Sequence, residues 1–141
     1  MQRTIGSVPL TLRQKARLIV DCLPLLFFGL ALAFCVTLFD DIYGAPPPAA
    51  LLLFLGFIIL AVGWTAIQRM RDLASGVALV HEDLLQRSYR SRRGQHQWGT
   101  FAQLGKLSLT VKAYHQGRHG RRHRVVYSPA SKIVWWLEPL D

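Results

Sequence analysis

Two long apolar runs dominate the first half of the chain. Residues 18–39 read LIVDCLPLLFFGLALAFCVTLF, 22 residues with one charge, Asp21. As a helix this run reaches about 33 Å, enough for a hydrocarbon core of ~30 Å. Residues 49–67 read AALLLFLGFIILAVGWTAI, 19 residues with no charge. That gives about 28 Å, again one crossing. Two such runs in succession exceed what a small soluble core needs. Between them, residues 40–48 read DDIYGAPPP. Asp40, Asp41, Gly44 and the Pro46–Pro48 run are read as unable to continue a helix, so a short antiparallel hairpin is expected.

A cleaved signal peptide competes for the first run, since Ala31-Leu32-Ala33 imitates a cleavage site. The run is longer than the 7–15 residues of a signal core, which favours an uncleaved span.

Beyond residue 68 the pattern changes. Arg71 to Gly76 reads as a helix end, with Gly76 a C-cap candidate. Residues 77–80 form a short apolar run, and residues 84–90 (LLQRSYR) extend it. Residues 91–95 read as a turn, and residues 96–104 suit a strand or a short helix equally. Residues 107–114 alternate: Leu107, Leu109, Val111 and Ala113 on one face, Ser108, Thr110, Lys112 and Tyr114 on the other. Such alternation predicts a strand through Tyr114. Residues 116–121 (QGRHGR) read as a hairpin loop, residues 122–127 as the return strand and residues 133–138 (IVWWLE) as the last strand. The fold class expected is a membrane α-helical hairpin of two spans plus a small antiparallel β-barrel or curled β-sheet. The chain divides into a basic N-terminus (1–17), the hairpin (18–67) and a basic β-domain (68–141).

The ending Val125-Val126-Tyr127-Ser128-Pro129, followed by Trp136-Leu137-Glu138-Pro139, resembles a recurrent bacterial pattern. It occurs in membrane proteins that join a two-helix anchor to a small β-domain through a Tyr-x-Pro turn before the last strand. The resemblance implies architecture and a bacterial inner membrane, and carries no activity over.

Charge sets the orientation. Arg3, Arg13, Lys15 and Arg17 precede the first run, Arg69 and Arg71 follow the second, and the loop between holds two Asp and no Lys or Arg. Both termini are therefore expected in the cytoplasm. Within the spans, Asp21 is placed one turn after Arg17, where an ion pair could form. Gly29, Ala33 and Thr37 make a small-residue stripe, and Gly56 and Gly63 share a face of the second helix. These stripes serve packing within the hairpin or docking on another membrane subunit. Cys22 and Cys35 lie on one helix, cannot pair with each other and read as apolar fillers. Cys22 is also a palmitoylation candidate.

The chain carries 17 Lys and Arg against 8 Asp and Glu, a net charge of +9. Two basic clusters stand out in the β-domain: Arg87, Arg90, Arg92 and Arg93, then Arg118, Arg121, Arg122 and Arg124. Three partners fit them. One is anionic lipid. A second is an acidic face of a larger membrane complex, with Trp98, Trp135 or Trp136 as anchors. A third is single-stranded nucleic acid, with Trp98, Phe101, Tyr114 and Tyr127 as stacking rings. His115, His119 and His123 recur every four residues and could ligate zinc or copper. Gly117 and Gly120 interrupt them, and no Cys or carboxylate completes a site, so a solvated basic hairpin is favoured. No nucleophile motif, phosphate-binding loop or carboxylate pair suggests an enzyme, and no cofactor is expected. The reading is a non-catalytic accessory or interaction subunit, with a membrane-tethered single-strand-binding module as the alternative.

Overall fold

The structure, a computed structural model, describes residues 4–92 and 96–140. Ten elements follow in order: β1 (Thr4–Pro9), α1 (Leu12–Val20), α2 (Leu23–Tyr43), α3 (Ala49–Ser75), β2 (Val77–Arg90), β3 (Gln97–Phe101), β4 (Gly105–Leu109), α4 (Val111–Gln116), β5 (Arg121–Ser128) and β6 (Ile133–Pro139).

The α1–α2 stretch and α3 are each long and apolar enough to cross a membrane. α2 and α3 pack as a helical hairpin; α2 runs through Asp40 and Asp41, expected in the loop, and ends only at Gly44, which takes the left-handed conformation at φ 58°. The first apolar run is not one straight helix. Pro24 has no N–H and its ring would strike the carbonyl four residues back, so it is tolerated only in a first turn. The chain accordingly breaks at Asp21-Cys22, and Pro24 sits in the first turn of α2. α1 begins in a capping box: the Thr11 hydroxyl accepts the Gln14 N–H at 3.4 Å, and the Gln14 side chain accepts the Thr11 N–H at 2.8 Å. Asp21 pairs with Arg69 of α3 at 3.7 Å, rather than with Arg17.

Six strands form one mixed sheet in the order β1-β2-β3-β4-β6-β5, and β2 also pairs with β5. The strand path β2-β3-β4-β6-β5 therefore returns to its start. Two sequence expectations are corrected here. The strand through Tyr114 ends at Leu109: Thr110 leaves the ladder and caps α4, its hydroxyl accepting the Ala113 N–H at 3.3 Å and donating to the Trp135 carbonyl at 3.1 Å. Ala113 is then buried and Val111 is exposed, though both continue the strand's apolar alternation. The sheet is also not wholly antiparallel. α4 carries the chain past the place that β6 later fills, so β6 lies parallel to β4, with Ser108 opposite Ile133 and Leu109 opposite Val134.

β1 was not legible as a strand; it adds to the first half of β2, from Thr4 opposite His81 to Pro9 opposite Val77. Two clusters make the core. Leu85, Phe101, Leu107, Leu109, Ala113, Val125, Val134 and Leu137 fill the strand ring. Leu10, Leu18, Ala78, Ile133 and Trp135 join α1 to the sheet, with Leu73 of α3 against them. Each large side chain so buried contributes roughly 1.5–3 kcal/mol.

Candidate functional site: a basic and aromatic sheet face

Between residues 77 and 140 the sequence holds eleven Lys or Arg and three carboxylates, Glu82, Asp83 and Glu138. The fold uses all three locally. Glu82 and Glu138 flank Arg124, at 3.8 and 3.3 Å. Asp83 is buried and accepts the N–H groups of Leu84, Gln103 and Leu104 at 2.7–2.8 Å. Of the eight arginines singled out in sequence, Arg124 thus has its charge balanced at home. Negative charge is concentrated around Arg124 and at Asp83 of β2, buried against the β3–β4 turn. The outer half of β2 and the strands beside it carry the positive charge.

Register assigns that surface. Arg87 lies opposite Thr100 and Tyr89 opposite Trp98 on β3. Trp98 in turn lies opposite Ser108 and Thr100 opposite Lys106 on β4. Directly opposed residues share a face, so Arg87, Tyr89, Trp98, Thr100, Lys106 and Ser108 lie together. The alternate positions Gly99, Leu107 and Leu109 are buried, which makes the first set the outer face. The Lys106 ammonium lies over both rings, 4.7 Å from the Trp98 centroid and 5.4 Å from that of Tyr89. On the other edge of β2, Arg122 lies opposite Leu84 and Arg121 opposite Leu85.

The loop of the second basic cluster is tied to the strand that carries Arg87 and Arg90 of the first. The segment between α4 and β5 is clamped onto β2. The Gly120 N–H donates to the Leu85 carbonyl at 2.8 Å, and the His119 Nε2 accepts the Ser88 N–H at 3.0 Å. The segment that carries Arg118 and Arg121 is thereby held against Leu85 and Ser88 of β2, with Arg121 opposite Leu85. Arg92 is exposed just beyond β2, and Arg93 lies outside the described residues.

The histidines do not gather as their spacing suggested. His115 is on α4 against the Tyr114 ring. His119 is engaged with Ser88. His123 is buried, donating from Nδ1 to the Arg121 carbonyl at 2.9 Å and accepting the Arg118 N–H on Nε2 at 3.1 Å. Burial pushes its pKa below the ordinary value; the bond to the Arg121 carbonyl opposes this, and the Arg118 and Arg121 charges add to it. A neutral ring is what its hydrogen bonds require, since Nε2 must accept. Among the described residues no three His, Cys, Asp or Glu are grouped to hold a metal ion.

The stacking rings and anchors also redistribute. Phe101 is in the core, and Tyr114 and Tyr127 pack against it. Trp135 is buried, with its indole N–H donating to the Ser128 hydroxyl at 2.8 Å. Of the four proposed stacking rings, Trp98 lies on the outer face, where its partner is Tyr89, while Tyr114 and Tyr127 are half-buried against the core. Trp136 is 42% exposed, beside β1. Tyr89 and Lys106 were missed because their meeting depends on strand register, which no local pattern encodes.

The small residues of the apolar helices separate in the same way. A Cβ on Gly63 would lie 3.7 Å from Leu25 of α2, inside the hairpin contact. Gly56 is half-buried with no atom that close. Gly29, Ala33 and Thr37 are all exposed, and a Cβ on Gly29 would meet nothing within 4 Å. The Thr37 hydroxyl is satisfied by the Phe34 carbonyl at 3.0 Å. Comparison with protein families, curated proteins and solved structures finds no match to this chain.

Proposed function

We propose that this chain is a non-catalytic, two-span membrane protein that acts as an accessory or interaction subunit of a larger membrane assembly. The observation that carries the reading is the exposed Gly29, Ala33 and Thr37 stripe on α2. In lipid, helices associate through close van der Waals contact, and small residues are what permit it. A stripe of this kind that the hairpin itself leaves open suits a helix of another subunit.

The same reading places both termini in the cytoplasm of a bacterial inner membrane. Two features support it. Arg13, Lys15, Arg17, Arg69 and Arg71 flank the spans on one side, and the loop between them has no Lys or Arg. The pairing of β1 with β2 keeps the N-terminal strand on the same side of the hairpin as the β-domain. The β-domain, on this reading, is a small closed barrel of five strands, with β1 as an added edge. Its basic surface faces the cytoplasm and is available for contact with an anionic partner or with anionic lipid.

The test is gentle extraction from native membranes, sizing under native conditions and mass spectrometry of what co-migrates. A stoichiometric partner is expected. Gly29→Leu with Ala33→Leu should release that partner and leave the chain folded. Gly63→Leu should instead disturb the hairpin, because Leu25 occupies the space its side chain needs. A chain that migrates alone from native membranes overturns the reading.

A further inference from the structure

We infer that the outer face of β2, β3 and β4 binds single-stranded nucleic acid, with the Tyr89 and Trp98 rings stacking bases and Arg87, Lys106 and Arg122 holding the phosphates. The inference is independent of the α2 stripe and names nucleic acid as the anionic partner of the β-domain's basic surface.

Three observations converge on it. First, Tyr89 and Trp98 are register partners on adjacent strands, so their rings lie side by side on one face. Every base has a π-face, and stacking on such rings is tolerant of sequence. Second, cations border the rings. Arg87 is two residues from Tyr89 on the same face, and Lys106 sits over both rings. Arg122, opposite Leu84, extends the positive track across β2. Third, the domain's carboxylates are committed elsewhere, to Arg124 and to the β3–β4 turn. Glu82 and Asp83 border only the Arg122 end of the face, where they line one pocket with that arginine, while among the described residues no ion pair engages Arg87 or Lys106.

Lys106 is the movable part. In the free protein its ammonium rests on the π-clouds of both rings. Its stem is flexible, and it is exposed. A base that stacks on Trp98 displaces the ammonium, which then pairs with the adjoining phosphate. The exchange replaces a cation–π contact with an ion pair and leaves no polar group stranded. The face is a strand-pleated surface a few strands wide, matched to a few nucleotides rather than to a duplex. It also lies at the end of β2 opposite to the one that continues from α3. That position favours a ligand from solution over the headgroups beside the helices.

The experiment uses the full chain in a neutral detergent and fluorescein-labelled oligothymidylate of about 15 nucleotides, a length within the span of small single-strand-binding folds. Fluorescence anisotropy should report saturable binding that weakens steeply with salt. Trp98→Ala and Tyr89→Ala should each weaken it about ten-fold or more. Arg87→Glu, an exposed substitution with little reach into the core, should weaken binding and flatten its salt dependence. Polyphosphate and polyglutamate of matched charge serve as base-free competitors and should displace the oligonucleotide only at much higher charge concentration. Loss of binding with Arg87→Glu but none with either ring variant would reduce the face to a charged surface for acidic protein and overturn the inference. Equal competition by polyglutamate, or an absence of salt-dependent binding, would overturn it as well.

Discussion

The Asp72 carboxylate, near the end of α3, accepts the backbone N–H of Ser131 at 2.7 Å, from a residue 59 positions away. Its other oxygen accepts the Ala130 N–H at 2.9 Å. The side chain is 1% exposed. A turn between two strands presents N–H groups that the sheet cannot satisfy, and a carboxylate with two acceptor oxygens meets two at once. The apolar helices and the β-domain are therefore joined by a specific polar contact as well as by the shared apolar cluster of Leu18, Leu73, Ile133 and Trp135.

Asp72→Ala should strand two backbone donors, at a cost of roughly 2–5 kcal/mol. Asp72→Asn keeps one acceptor and turns an amide N–H toward the second donor, so it should recover only part of the loss. Denaturant unfolding of the detergent-solubilised chain, followed by tryptophan emission, measures both. Wild-type stability in the alanine variant would show that the contact contributes nothing.

His123 makes the domain sensitive to acid. Its folded pKa is lowered, chiefly by burial, while the unfolded side chain keeps the ordinary value of 6.5. As pH falls below 6.5 the unfolded chain takes up a proton that the folded one resists. Stability contributed by the neutral ring is therefore complete above that pH and declines as pH approaches the lower folded value. Protonation of Nε2 also places a donor against the Arg118 N–H, which loosens the segment that carries the second basic cluster. Unfolding midpoints between pH 8 and pH 5 should fall for the wild type, and His123→Gln should remove part of that slope. An unchanged slope would assign the acid sensitivity to another group.

Gly117 follows α4, and a Cβ there would lie 2.8 Å from the Leu85 side chain and 3.5 Å from that of Leu137. Both leucines are fully buried. Gly117→Ala should therefore overpack the core and cost about 1–3 kcal/mol. Thermal unfolding compared with Gly120→Ala separates causes. Gly120 has open space but a φ of 73°, so its penalty is one of backbone conformation rather than packing.

Several features were legible before any tertiary information. The two apolar runs, the Pro-rich turn, the helix end at Gly76 and the strands at β2, β5 and β6 all follow local periodicity. Pro24, whose ring kinks a helix, marks the break before α2. One local signal was passed over: Thr11-Leu12-Arg13-Gln14 matches the capping-box spacing that starts α1. Residues 107–114 misled because strand alternation and a capped short helix both put Leu107, Leu109 and Ala113 inside. Thr110, which can bond its own backbone three residues on, decided for the helix.

Local pattern alone divides the chain into apolar helices and a basic β-domain, because burial periodicity and charge segregation are local properties of the chain. It also determined which residue types were available: small residues on α2, arginines in two groups, aromatics within the strands. Which of these meet was settled by the folding of the whole chain. Pairing register set Tyr89 beside Trp98 under Lys106, the contacts at Ser88 and Leu85 tied the 118–121 loop to β2, and Asp72 found its partners 58 and 59 residues away. Such contacts depend on strand register and chain closure, which are settled by the packing of the whole domain and leave no periodic mark on any one segment.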